Sequence, residues 1–287
     1  MKKPTCAACK NQKTAFFARK NNCDIFRCGK CGLMFVWPIP ENYLALYSED
    51  YFSGAENELG YADYEGDKKI LSGTFKNYLK RIETILPQKG KLFDVGAATG
   101  YFLKLAKENG WQASGIEISE YAASVGRKNG LDIITGNFET YNIAENQFDA
   151  VVFWDALEHF AKPDLALGQA RKILKPGGLL AINTPDSVSL MAKILRRRWH
   201  AIVPPNHLYI FSLKNLTQLL SKNNFEVVET ARVGKKFSLR TIFKVLANWQ
   251  KISILRNISN YFLRSRVGNL SVYLNLRDNI FLVARKK

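Results

Sequence analysis

The chain lacks an apolar run long enough to cross a membrane. Its uncharged stretch Ala201–Leu213 is thirteen residues and holds two prolines, where a spanning helix needs about twenty. The first residues, MKKPTCAACK, are basic with no apolar stretch behind them, so no secretory leader and a cytoplasmic location are expected. Cysteine is scarce, five in 287 residues, which excludes a disulfide-dense scaffold. Acidic residues are scarce in one region only. Residues 181–287 carry nineteen Lys and Arg against four Asp and Glu, while residues 1–180 carry twenty-three against twenty-one. The formal net charge of +17 therefore belongs to the C-terminal third, and a partner attracted by it is met there. With 47% hydrophobic and 23% charged residues the chain reads as globular, of a length for one large domain plus a small appendage.

Four of the cysteines form two pairs, Cys6-x-x-Cys9 and Cys28-x-x-Cys31, separated by eighteen residues. Two such knuckles suit tetrahedral thiolate ligation of zinc, and the sequence between them turns at Asn21-Asn22 as a hairpin would. Residues 1–37 are read as a zinc ribbon with a structural metal, because four thiolates leave no open position for chemistry. A pair of disulfides is the alternative. Cys23 stands outside both pairs as a passive thiol.

Residues 38–88 read as a linker rich in Pro, Tyr and acid, followed by a helix from about Tyr64 to Leu86 that stops at Pro87. The linker holds Tyr43, Tyr47, Tyr51 and Tyr61, and such a segment packs over something. From residue 89 to 287 strands alternate with helices, the pattern of a doubly wound, mostly parallel α/β sheet. The strands are KLFDV, SGIEI, LDIIT, FDAVVFW, GGLLAIN, FEVVETARV and NIFLVARKK, with a turn at Lys175–Gly178.

The first of these strands runs into a glycine turn and a helix, where backbone N–H groups and a close approach favour a nucleotide-like ligand. Glu117 ends the second strand, 21 residues after Gly96, where a carboxylate can take two ribose hydroxyls. The loop reads Asp94-x-Gly96-x-Ala98-x-Gly100. An acid at the strand end repels a pyrophosphate and tolerates a cation, which points to a sulfonium. Here the chain resembles the class I S-adenosylmethionine-dependent methyltransferases, through FDVGAATGYF, GIEIS, GNFE, FDAVVFWDALEHFAKP and LKPGGLLAINTP. The resemblance implies a seven-stranded Rossmann-like sheet. It places Asp94 near the methionine end of the cofactor and Glu117 on the ribose, and makes Gly96, Ala98, Gly100 and Tyr101 cofactor-binding residues. Adenine then lies between Ile118 and Phe138, with Asn137 and Trp154 nearby. Ala98 replaces the family's central glycine, and Asn137 stands where an acid often meets the adenine amino group. The ribbon together with TPDS…RRRW…PPNHLYIFS resembles small-molecule methyltransferases acting on quinone precursors, sugars and similar intermediates.

Methyl transfer is an in-line displacement that alignment and desolvation can drive, but a hydroxyl acceptor must also lose a proton. Asp155, Glu158 and His159 follow the fourth strand at i, i+3 and i+4, and His207 sits in a loop expected over the same sheet edge. Three roles are open for this set. It is an oxygen and nitrogen site for a divalent ion such as magnesium, similar to that in ubiquinone-pathway O-methyltransferases and small-RNA 2′-O-methyltransferases. Alternatively a histidine is the plain base or hydrogen bonder, or the residues are structural. Trp199 either covers the acceptor or packs in the core, and His200 lies on a basic surface.

Residues 235–269 carry apolar positions at helical period, including Leu239, Ile242, Phe243, Leu246 and Trp249, with Arg240, Lys244 and Lys251 on another face. One or two amphipathic basic helices are expected, as a cover for the sheet, as a contact with anionic lipid at the inner membrane face, or as an RNA surface. Nucleic acid is the disfavoured partner, because the basic stripe is not interleaved with stacking aromatics. The sequence thus predicts O-methylation of a small or carrier-linked biosynthetic intermediate. An RNA methyltransferase and a non-catalytic S-adenosylmethionine-binding module are the alternatives.

Overall fold

The structure is a computed structural model that describes residues 3–53, 69–239, 241–243, 261–262 and 265–287. A seven-stranded sheet forms its centre, in the order β10-β11-β8-β7-β4-β5-β6. The strands β4 (Lys91–Val95), β5 (Gln112–Glu117), β6 (Asp132–Thr135), β7 (Phe148–Trp154) and β8 (Leu174–Pro185) are parallel, while β11 (Ser271–Lys286) is antiparallel to β8 and to β10 (Phe225–Ser238). Their sequences explain the parallel arrangement. KLFDV and FDAVVFW are almost unbroken apolar runs, and strands covered by helices on both faces need no polar alternation. The expected strands all form, and the last two are longer than expected. The turn expected at Lys175–Gly178 lies inside β8 as an irregularity, with Gly177 at φ 74° and the partner of β7 jumping from Leu174 to Leu179.

The order in which the chain lays down its strands reverses between β4 and β7. Both β5 and β6 lie on one side of β4, and β7 and β8 on the other, so a crevice opens beyond the strand ends at this switch point. Helix α2 (Ser72–Ile85) buries Phe75, Tyr78, Leu79 and Ile82 against the sheet. Helices α3 (Tyr101–Glu108), α4 (Glu120–Lys128), α5 (Pro163–Ile173) and α7 (Leu213–Lys222) complete the layers. Ahead of them stand a short α1 (Glu49–Ser53) and a 3₁₀ turn at Tyr43–Tyr47; α6 (Leu190–Leu195) follows β8.

The N-terminal hairpin β1 (Thr14–Lys20) and β2 (Cys23–Cys28) turns at Asn21 and Asn22, whose φ values of 48° and 59° suit a tight reverse turn. Strand β3 (Met34–Val36) pairs on one side with β2 and on the other with β9 (Tyr209–Ile210), which comes from the large domain. The ribbon is thereby sewn into the molecule. Its Cys6, Cys28, Leu33 and Phe35 share one apolar cluster with Phe153, Leu180 and Leu220.

The helical insertion expected from Lys235 begins later, because residues 235–238 continue β10 and pair with 271–274 of β11. Beyond them Leu239, 241–243 and 261–262 are helical, and the Phe243 and Phe262 rings stack with centroids 4.3 Å apart. Arg240, Lys244 and Lys251, Leu246 and Trp249, and Tyr61 and Tyr64 of the linker lie outside the described residues. No helix among the described residues is long and apolar enough to cross a membrane.

Candidate active site

The crevice at the strand ends is an open cleft of about 860 Å³, solvent included, within the usual size of small-molecule sites. Gly96 follows β4 at φ 80°, and a Cβ there would sit 3.2 Å from that of Ala156. Ala98 holds a left-handed φ of 50° and Asp155, just past β7, does the same. Non-glycine residues in this region cost about 1–3 kcal/mol and collect at functional edges. Glu117 is buried, and its two carboxylate oxygens accept from the backbone N–H of Ala98 at 2.8 Å and of Ser119 at 2.9 Å. Burial pushes its pKa up while those N–H groups oppose the shift. A carboxylate offers about four acceptor positions, so two hydroxyl bonds remain available after these.

Ile118 and Phe138 line the cleft together with Asn137 and Trp154. Asp94, Gly100 and Tyr101 are not among its lining residues. Gly100 serves packing, since a Cβ there would lie 2.4 Å from Leu131 Cδ1. The charge of the lining discriminates between ligands. Glu117, Glu139 and Asp155 line it, and among the described residues no Lys or Arg does. A sulfonium is favoured in such a field and a pyrophosphate is not.

The linker, read from the sequence as a segment that packs over something, supplies tyrosines to which that reading assigned no individual role. Tyr43, Leu44, Tyr47, Tyr51 and Phe52 wall the cleft opposite the glycine turn. Tyr43 and Tyr47 bound the 3₁₀ turn and Tyr51 stands in α1 beyond an extended Ser48, and the Tyr47 and Tyr51 rings meet edge to face with centroids 5.4 Å apart. The Tyr47 hydroxyl lies 2.9 Å from His159 Nδ1 and donates to Asn206 Oδ1 at 3.3 Å, while Asn206 Nδ2 donates to Tyr51 at 3.3 Å.

His159 lines the same cleft, at the end of a 3₁₀ turn Leu157–His159. Its Nδ1 is 2.7 Å from the Asn206 carbonyl, and His207 Nδ1 is 2.8 Å from the Ala201 carbonyl. A carbonyl only accepts, so both rings carry hydrogen on Nδ1 and keep Nε2 as a bare acceptor. Burial lowers the pKa of His159, and burial together with the neighbouring His159 brings His207 down to about 3. The two rings meet edge to face at 4.9 Å.

Glu158, His159 and His207 hold donor atoms within 4.8 Å of one another. Asp155 is not in this group, which changes the expected four-member set to one carboxylate and two imidazoles. Glu158 is fully buried and accepts from Thr184 Oγ1 at 3.0 Å. Magnesium takes oxygen ligands in a near-octahedral shell, so this nitrogen-rich set does not fit it. Trp199 is buried and lies away from the cofactor cleft, and His200 pairs with Asp278 at 3.5 Å.

In the ribbon all five cysteines are free. The Sγ atoms of Cys6, Cys9, Cys28 and Cys31 lie within 4.8 Å of one another, with Cys6–Cys31 and Cys9–Cys28 at 3.5 Å. Tetrahedral zinc sets its sulfurs about 3.8 Å apart, so the four groups fit that ion. Burial pushes Cys31 up to about 11, whereas at Cys28 the N–H groups of Cys31 and Lys30 outweigh burial and bring it down to about 6. A divalent cation would favour the thiolate at all four.

A doubly wound sheet with a glycine turn, a buried strand-end acid and a cation-tolerant cleft defines a class I S-adenosylmethionine-dependent methyltransferase fold. The chain belongs to the family described as methyltransferase domain, whose profile matches residues 69–230. It is 24% identical over 158 residues to a malonyl-[acyl-carrier protein] O-methyltransferase of Methylococcus capsulatus, covering 53% of this chain and 57% of that one. A ubiquinone biosynthesis O-methyltransferase of Thiobacillus denitrificans is 30% identical over 114 residues, 37% of this chain and 49% of the relative. Each match spans about half of the relative's own length. Among solved structures the YcgJ protein of Bacillus subtilis superposes with a TM-score of 0.52 at 15% identity, covering 74% of this chain and 98% of that one.

Proposed function

We propose that the protein transfers a methyl group to a hydroxyl or carboxyl oxygen of a small or carrier-linked biosynthetic intermediate. The observation that carries this reading is His159, a neutral imidazole with a bare Nε2, in the wall of the cofactor cleft. S-adenosylmethionine supplies an electrophilic methyl on a sulfonium. Glu117 holds the ribose hydroxyls, Ile118 and Phe138 flank the adenine, and Glu139 and Asp155 leave the cleft free of competing positive charge. Tyr47 and Asn206 fix the His159 ring so that Nε2 accepts the acceptor's proton while the new bond to oxygen forms. The tyrosine wall excludes water from the reacting atoms. Zinc in the ribbon has a structural role. The relative named for malonyl-[acyl-carrier protein] methylation supports a carrier-linked carboxyl as one acceptor to try.

The test is transfer of labelled methyl to catechol, a sugar nucleotide and a malonyl thioester, with and without EDTA, while zinc content is followed. Label on oxygen is expected, unaffected by EDTA as long as zinc stays bound. His159→Gln should lower kcat by about 10²–10⁴-fold and leave the S-adenosylmethionine Kd unchanged in calorimetry. Label on carbon or nitrogen, or full activity in the variant, would sink the reading. So would loss on chelation with rescue by magnesium.

A further inference from the structure

A second cleft lies between the ribbon and the segment after β8, enclosing about 1020 Å³, solvent included. It shares no residue with the cofactor cleft, and its charge is the reverse. Arg27 comes from the ribbon, Lys193 from α6 and Arg196 from the turn after it, and among the described residues no Asp or Glu lines the cleft. Among the described residues no carboxylate pairs with any of these three cations. Cations that line one cleft without a counter-charge make it a favourable place for an anion.

Two further observations point to a ligand. Trp199 lines the cleft with no exposed surface, and its Nε1 is buried without a hydrogen-bond partner. Such an orphan donor costs about 1–3 kcal/mol until an acceptor meets it. The backbone of Arg196 stands at φ 47° and ψ −123°, a region nearly reserved for glycine, in a turn closed by Trp199 N–H on the Arg196 carbonyl at 3.0 Å. Strain of about 1–3 kcal/mol at an arginine is retained where the side chain must point one way. The other walls are apolar, with Phe17, Met34 and Val188 among them.

We propose that this cleft binds a soluble phosphate ester. Its phosphate lies among Arg27, Lys193 and Arg196 and takes the Trp199 indole N–H, and its apolar body rests on Phe17, Met34 and Val188. Arginine forks favour the tetrahedral dianion over a single carboxylate. The site does not depend on the methyl-transfer reading, because binding is measured without S-adenosylmethionine.

Phenyl phosphate is the probe, titrated into the zinc-loaded chain while the tryptophan indole N–H signals are followed by NMR, Trp199 being assigned with Trp199→Phe. A saturable shift of the Trp199 signal is expected. Arg27→Gln and Arg196→Gln should each weaken binding about fivefold or more, and Lys193→Gln gives an independent reading should either arginine variant fail to fold. Lys128→Gln, exposed on α4, should bind as the parent does. The proposal falls if Trp199 does not move or if phenol binds equally well. It also falls if Lys128→Gln weakens binding as much as Arg196→Gln, or if only phosphatidylglycerol vesicles bind.

Discussion

His207 shows how a single residue ties burial to both chemistry and stability. An imidazole with an ordinary pKa of 6.5 is held near 3, first by burial and then by the ring of His159 beside it. The folded protein therefore refuses a proton that the unfolded chain accepts. Stability from this group is complete above about pH 6.5 and is lost as pH falls toward 3, at up to about 1.4 kcal/mol per pH unit. In chelator, so that no metal competes, the melting temperature should fall across that window, and His207→Gln should flatten the slope by one proton. An unchanged slope would mean that His207 titrates normally. The same burial keeps His159 neutral at physiological pH, so the pH–rate profile should lack a limb near 6.5. Tyr47→Phe removes the hydroxyl that touches His159 and Asn206 and should lower kcat by about tenfold, with little change in the S-adenosylmethionine Kd. Residues fixed by strand ends were legible in the sequence, since a carboxylate ending the second strand of such a sheet has one place to go. Glu117, Ile118, Asn137 and Phe138 lie there. Asn206 was not, and Tyr47 was legible only as part of a covering linker, because only tertiary packing brings residues 159 apart in sequence to one ring.

Elements follow the same division. The strands around the switch point carry their own apolar signal and were readable almost to the residue. The two-residue β9 carries none, yet it decides how the ribbon is used. Val36 N–H donates to the Leu208 carbonyl at 2.9 Å, and Leu208 N–H donates to the Glu158 carbonyl at 2.9 Å. Asn21 Nδ2 reaches the Pro204 carbonyl at 2.8 Å. The loop that holds Asn206 and His207 is thus clamped between the ribbon and the 3₁₀ turn of His159. The ribbon would therefore act as a brace for the acceptor side and leave the cofactor side alone. Stripping zinc with a thiol-reactive mercurial should speed amide exchange at Leu208 and Ile210 and raise the acceptor KM, while the S-adenosylmethionine Kd stays within about twofold. Exchange unchanged at β9 would reduce the ribbon to an appendage.

Across the whole molecule, charge and core are divided differently. Among the described residues, three acids and no Lys or Arg line the cofactor cleft, and three cations and no acid line the second. The core is not sorted. Ribbon residues Cys6, Ile25 and Phe35 belong to the same apolar cluster as Phe93, Val151 and Ile182 of the central sheet. A four-thiolate ribbon standing alone would open by itself, exposing few apolar groups, and would release its metal before the sheet melts. One bound into a shared core has to expose that core to open, and burial of a Leu- or Phe-sized side chain is worth about 1.5–3 kcal/mol each. The two parts should therefore unfold together. In urea, the zinc released to a chromogenic chelator and the far-ultraviolet dichroism should share one midpoint, with a single cooperative transition. The pairing of β3 with β9 is the hinge of that coupling, so Phe35→Ala, which removes a ring stacked on Tyr209 at 6.4 Å, should separate the midpoints with zinc leaving first. Zinc released well before the sheet melts in the parent chain would show that the shared core is too weak to couple them.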